Sequence, residues 1–166
     1  TVGRLDLHTK GLDLLFAGFA DFLRQHKGEG QLWLVGDGPD RERLERLAQD
    51  LHIHEHVTFW GGRYGTEKDT IMASMDLFCL TSRNEGLPGV VVEAAMCGLA
   101  IVATDRPGVG VLIEDGVSGA LVDADDADGL AAALRALVVD PELRRRLGTA
   151  ARDRAIPRCI VRQHPT

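Results

Sequence analysis

Along the chain, segments with an apolar residue at every third or fourth position alternate with short, nearly continuous apolar runs. GLDLLFAGFADFLRQH sets Leu12, Leu15, Phe16, Phe19 and Leu23 at intervals of three and four, the stripe of an amphipathic helix. DRERLERLAQDL repeats the device with Leu44, Leu47 and Leu51. QLWLVG, HVTFW, LFCLTS, AIVAT and GALVD are short apolar runs that read as buried strands, HVTFW ending at Gly61-Gly62. TVGRL reads as a further strand, already under way at Thr1, so a preceding part of the protein is expected. EKDTIMASM, GVVVEAAMC, ADGLAAALRALVV and PELRRRLGTAARDR complete the series as helices, with a short helical turn in VGVLIEDG.

Six short apolar strands separated by helices predict an α/β fold, because each parallel crossover must travel over the sheet. The expected architecture is Rossmann-like: a doubly wound, six-stranded parallel sheet with helices on both faces. One domain is expected over residues 1–156, followed by an irregular tail, residues 157–166. Sheets of this kind take ligands outside the carboxyl ends of their strands, so the loops there are where chemistry is sought.

Composition narrows the function classes. At 166 residues, 45% hydrophobic and 27% charged, the chain is that of a globular protein with runs too short to span a bilayer. A formal charge of -6 lacks the basic excess that binding a nucleic-acid backbone needs. Cys79, Cys97 and Cys159 are too few and too scattered for a disulfide framework. Two of them lie in apolar segments that read as core, which suits a reducing compartment.

The loop after TVGRL places Arg4 at a strand's end and Lys10 at a helix threshold, either as two ordinary surface cations or as an anion site, where unpaired N–H groups and two cations suit a diphosphate. The loop VGDGPDRERL has Gly36 and Gly38 of a dinucleotide-type turn but Arg41 where the third glycine would stand, a poor match for NAD. In SRNEGLPGVVVEAAMCG, a helix starting near Gly89 gathers the N–H groups of Gly86 to Val90, including Leu87, at its amino terminus. Glu85 then stands at the strand's carboxyl end, pointing into the crevice, and Glu93 about one turn into the helix, either as a charge at its solvent edge or where a carboxylate can accept from both hydroxyls of a ribose diol. HIHEH places His52, His54 and His56 at alternate positions, but reads as a loop rather than a metal site. Neither a G-x-S-x-G elbow nor a G-x-x-x-x-G-K-[ST] phosphate loop occurs.

Taken in order, GRLDLHTKGLDLL, VGDGPDRERLE, HVTFWG, SRNEGLPGVVVEAAMCGLAIVAT and EDGVSGALVD resemble the carboxyl-terminal half of retaining glycosyltransferases of family 4, the group 1 glycosyltransferases, over residues 2 to about 153. The pair Glu85-x7-Glu93, with its G-L-P turn and E-A-x-x-x-G helix, is the most specific mark. The resemblance implies a GT-B enzyme with two Rossmann-like domains, of which this one holds the nucleotide-sugar donor. It implies that Arg4 and Lys10 clamp the diphosphate and that the amides of the Gly86-Leu87-Pro88 turn meet phosphate and sugar. Glu85 would touch the transferred sugar and Glu93 the ribose, with Gly61, Gly62 and Arg63 near the base.

The implied reaction transfers a sugar from a UDP-, GDP- or ADP-sugar to an acceptor hydroxyl with retention, without a cofactor or metal ion. The acceptor, whether lipid, polysaccharide or small molecule, is not readable. The expected partner is an amino-terminal GT-B domain, in cis or as a subunit, without which this chain is expected to be inactive. The expected location is cytoplasmic, peripheral at the inner membrane face in a longer protein. Where the family commonly has G-G-x-x-E, RPGVGVLIEDG places Val111 at the expected glutamate. The alternatives are a non-catalytic nucleotide-binding module and an NAD-binding Rossmann domain.

Overall fold

The computed structural model describes residues 1–161, with side chains through residue 157. Five of the apolar runs form strands: β1 (Leu32–Val35), β2 (Val57–Gly61), β3 (Leu77–Leu80), β4 (Ala100–Thr104) and β5 (Ala120–Val122). All pair in parallel, β1 with β2 in one sheet and β3-β4-β5 in another.

The sixth expected strand is a single bridge between Val2 and Val35. Beyond Gly3, the chain leaves the ladder. Leu5 donates its N–H to the Asp37 carbonyl at 3.0 Å and accepts from Asp40 N at 3.2 Å, so its backbone groups are satisfied by the loop after β1 instead of by a strand. The expected six-stranded sheet is therefore five strands in two parallel sheets, with the Thr1–Gly3 segment along β1.

The helices are α1 (Leu7–Lys10), α2 (Leu12–Gln25), α3 (Arg41–Asp50), α4 (Gly65–Ala73), α5 (Gly89–Met96), α6 (Pro107–Gly110), α7 (Ala127–Val139) and α8 (Pro141–Val161). Residues of β4 show how they cover two faces. Ala100 and Val102 pack into one core with α2 and α7, while Ile101 and Ala103 pack into a second with α5 and α8. Successive side chains of a strand point to opposite faces, so a strand apolar at every position is buried on both. The predicted stripe of α2 is its buried face: Leu12, Leu15, Phe16, Phe19 and Leu23 are all in the first core. Phe16 is fully buried, a contribution of roughly 1.5–3 kcal/mol from its side chain.

Two expectations change. α8 continues through Pro157 to Val161, into the segment expected to be irregular. A helical proline loses one N–H bond, and here the helix runs on past that loss rather than ending. Residues 162–166 of that tail lie outside the described residues, as does the side chain of Cys159. Cys79 is buried as expected, but Cys97 is exposed, because it caps the carboxyl end of α5 instead of lying on its packed face. His54–His56 form a 3-10 turn leading into β2, and the His56 ring Nδ1 contacts the Gly30 carbonyl at 3.0 Å.

Candidate functional site

The loops at the carboxyl ends of the strands bring together residues far apart in sequence. Asp6 begins α1 by accepting a hydrogen bond from Thr9 N at 2.9 Å, and Gly11 ends it in the left-handed region at φ 57°. This single turn aims Lys10, its last residue, across to the loop that follows β3. Lys10 Nζ donates to Glu85 Oε1 at 2.6 Å, and the two side chains are 29% and 11% exposed. Buried Ser82 donates its Oγ–H to the same Oε1 at 2.6 Å. Ser82 is itself fixed, since its carbonyl accepts from Thr104 Oγ1 at 2.7 Å. Both contacts fall on one oxygen, and charge-assisted bonds of this length are the strong kind. Arg4, which is exposed, lines a small recess together with Lys10, Thr81 and Ser82.

Glu85 lies in the loop beyond β3, past its last residue Leu80, rather than at the strand's end. Gly86 and Leu87 after it are exposed, and buried Pro88 begins α5 without a side-chain cap, leaving the first amides of that helix without a side-chain acceptor. The loop after β4 abuts this turn. A Cβ placed on Gly108 would stand 1.3 Å from the Gly86 carbonyl oxygen, so only glycine permits that approach. Val111, where a glutamate was expected, follows at the end of α6 and is 53% exposed.

Glu93 projects from α5 and its Oε2 accepts from Lys68 Nζ of α4 at 2.7 Å. That hydrogen bond raises the Lys68 ammonium above its ordinary value against a smaller opposing effect of burial. Gly36 and Gly61 are adjacent: Gly36 N donates to the Gly61 carbonyl at 2.8 Å. The close approach required at Gly36 and Gly38 is to the protein's own backbone. Cβ atoms there would stand 1.8 Å from the Gly3 and 2.4 Å from the Leu5 carbonyl oxygen. Arg63 sits 3.1 Å from Glu67 and is half-buried.

Ser82, Lys68 and Arg83 belong to these clusters and were not among the residues the sequence singled out for the site. Ser82 carries a local signal, three positions before Glu85. The partners of Lys68 and Arg83 are distant in the chain and leave none. Arg83 forms a fork with Asp13, Nη1 and Nη2 each 2.8 Å from one carboxylate oxygen. Burial, the largest single effect, tends to raise the Asp13 carboxyl, but the Arg83 hydrogen bonds and charge together with the backbone N–H groups of Leu14 and Asp13 outweigh it and hold the group below its ordinary range.

An apolar cavity of about 540 Å³ lies at the opposite, amino-terminal ends of β1 and β3, lined by Phe19, Phe22, Trp33 and Leu134. It contains none of the candidate residues, and the polar cluster at the strands' carboxyl ends is the chemically equipped region. Among the described residues, no group of three or more His, Cys, Asp or Glu is placed to hold a metal ion. No helix there is long and apolar enough to cross a membrane.

A family profile described as "Glycosyl transferases group 1" matches residues 1–154. The lipopolysaccharide core biosynthesis glycosyltransferase LpsE of Rhizobium meliloti is 38% identical over 116 residues, covering 70% of this chain and 34% of that protein. The GDP-mannose-dependent alpha-(1-6)-phosphatidylinositol monomannoside mannosyltransferase of Mycolicibacterium smegmatis is 34% identical over 154 residues, covering 89% of this chain and 40% of that one. The crystal structure of Anabaena HepE in complex with UDP-glucose superposes with a TM-score of 0.84 at 28% identity, over 95% of this chain and 44% of that chain. The chain thus spans less than half the length of these relatives.

Proposed function

This chain belongs to the group 1 glycosyl transferases, and from that premise we propose that it is the carboxyl-terminal, donor-binding domain of a retaining family 4 enzyme with a GT-B fold. Its substrate is a nucleotide-diphospho-sugar, and the reaction passes the sugar to an acceptor hydroxyl held by an amino-terminal domain. By itself the chain binds donor without transferring it. The observation that carries this reading is the Lys10–Glu85 pair at 2.6 Å, beside the uncapped start of α5.

The chemistry follows from where charge develops. As the sugar leaves, its anomeric centre becomes cation-like and negative charge grows on the diphosphate. Cations and oriented amides already in place favour that state over the ground state and need no reorganisation. Lys10 and Arg4 supply the cations, and the amino terminus of α5 with the Gly86-Leu87-Pro88 turn supplies the amides. An ammonium has three donors, so Lys10 can serve Glu85 and a phosphate oxygen together. Lys10 and Ser82 both use Glu85 Oε1, which leaves Oε2 for a sugar hydroxyl. In the same way, Lys68 uses Glu93 Oε2 and leaves Oε1 toward a ribose hydroxyl.

Gly61 and Arg63, in the loop after β2, flank the base. Gly36 and Gly38 act on the donor indirectly, by letting the loop after β1 close on the segment that carries Arg4. Binding needs no metal ion, because Arg4 and Lys10 take its place on the diphosphate. The full-length enzyme works in the cytoplasm, at the inner face of the membrane when its acceptor is a lipid.

Phosphorus NMR titration of UDP, GDP, ADP and NADH with the chain tests the proposal. Saturable shifts of both phosphate resonances are expected for one of the three nucleoside diphosphates. A response to NADH alone, or to none of the four, would overturn the reading.

A further inference from the structure

The residue with the richest set of partners near the candidate site is one that the proposed donor chemistry leaves unused. We infer that Arg83 is a positioning residue: it locks the loop carrying Lys10 to the loop carrying Glu85, and both to the loop after β5, so that ammonium and carboxylate are held in donor-binding geometry. The inference rests on the donor-site reading above.

Arg83 sits in the loop that carries Glu85 and grips the other two through its guanidinium and its backbone N–H. On the Lys10 side, its guanidinium forms the fork to Asp13 in the first turn of α2, and Nη1 also reaches the His8 carbonyl at 3.1 Å. Its backbone N–H donates to the Thr9 carbonyl at 3.0 Å. On the β5 side, Nε and Nη2 meet Asp125 Oδ1 at 2.9 and 2.7 Å. Asp125 holds a left-handed backbone at φ 59°, a conformation that costs a non-glycine residue energy and persists where its surroundings hold it. Arg83 is two positions from Glu85, so these anchors fix the base of the loop from which Glu85 reaches Lys10.

The approach between the loops is tight as well as ionic. Thr81 Oγ1 donates to the Lys10 carbonyl at 3.1 Å, and a Cβ on Gly11 would stand 2.1 Å from the Thr81 carbonyl oxygen. An isolated exposed ion pair contributes little to anything. Arg83 differs in being 25% exposed, bidentate, and shared between two carboxylates and the backbone of α1. The planar fork is what lysine cannot reproduce.

The test compares wild type with Arg83→Met, Arg83→Lys and Asp13→Asn, and uses two readouts. The first is calorimetric affinity for UDP-, GDP- and ADP-glucose. Arg83→Met is expected to weaken the bound donor tenfold or more, with Arg83→Lys rescuing only part of the loss. Combined with Lys10→Ala, Arg83→Met should add less than its own single effect, since it acts through Lys10. Full additivity, or unchanged affinity in a folded Arg83→Met, would overturn the inference. The second readout needs no ligand: the NMR signal of the Lys10 ammonium, slowed in exchange by its bond to Glu85. It should be visible in wild type and lost in Arg83→Met, or in Asp13→Asn if the former does not fold. Persistence of that signal in the variants would overturn the inference. If wild type binds none of the three donors, the donor-site reading fails, and the ammonium signal still decides whether Arg83 positions the pair.

Discussion

Lys10 Nζ and Glu85 Oε1 lie 2.6 Å apart across 75 positions of sequence, joining the end of α1 to the loop that precedes α5. On the proposed reading, the pair couples the cation that meets the diphosphate to the carboxylate that meets the sugar, so the two halves of a donor would be read by groups already in contact.

Lys10→Ala removes the proposed charge-assisted phosphate contact, which would contribute roughly 1.5–3 kcal/mol when shielded from water. Affinity for the nucleoside diphosphate should then fall about ten- to a hundredfold. Equilibrium dialysis with wild type and variant checks this, and an unchanged affinity removes Lys10 from the diphosphate site.

Lys68→Ala tests the ribose side. Without its 2.7 Å partner, the Glu93 carboxylate loses its fixed orientation. The preference for a ribonucleotide over its 2′-deoxy form should shrink several-fold, while thermal stability changes little. A preference equal to that of wild type would mean that Glu93 does not meet the ribose.

How much of this was legible in sequence depends on the range of the interaction. The α2 stripe and the alternation of strands and helices are local patterns, and Leu12, Leu15, Phe16, Phe19 and Leu23 are buried as the spacing requires. TVGRL failed as a strand because Leu5 turns to pair with Asp37 and Asp40, a choice set by a distant loop. Candidates Lys10 and Glu85 could be named from their neighbours, but their contact could not. The bond from Lys68 to Glu93 spans 25 positions and the fork from Arg83 to Asp13 spans 70, and no periodicity reports pairings of that kind. Gly36 and Gly38 fitted the spacing of a dinucleotide turn, yet what crowds them is the backbone of Gly3 and Leu5.

Strong acid should weaken the Asp13–Arg83 anchor. The folded state holds the Asp13 carboxyl below its ordinary value of 3.8, so its contribution to stability is complete above that pH. It is lost as pH falls through the lower, folded value. The difference in melting temperature between wild type and Asp13→Asn should therefore be constant above about pH 5 and close below pH 3.8, a course that calorimetric scans across that range would follow. A gap that stays open at low pH would contradict the ionic anchor.

Phe16→Ala, at a fully buried position in the core under α2, should cost roughly 3–5 kcal/mol in urea unfolding. Gly108→Ala should act on the site instead, because its methyl group would meet the Gly86 carbonyl at 1.3 Å and push the turn before α5 aside. Donor affinity should drop in the second variant, and remain near wild type in the first wherever it is folded.

The most direct measurement is calorimetric titration of the 166-residue chain with UDP, GDP and ADP, wild type beside Lys10→Ala and Glu93→Ala. Wild type is expected to bind one of the three at a single site, and each variant to weaken that binding at least tenfold. Binding that survives both substitutions unchanged would contradict the donor-site reading and place the nucleotide elsewhere on the fold.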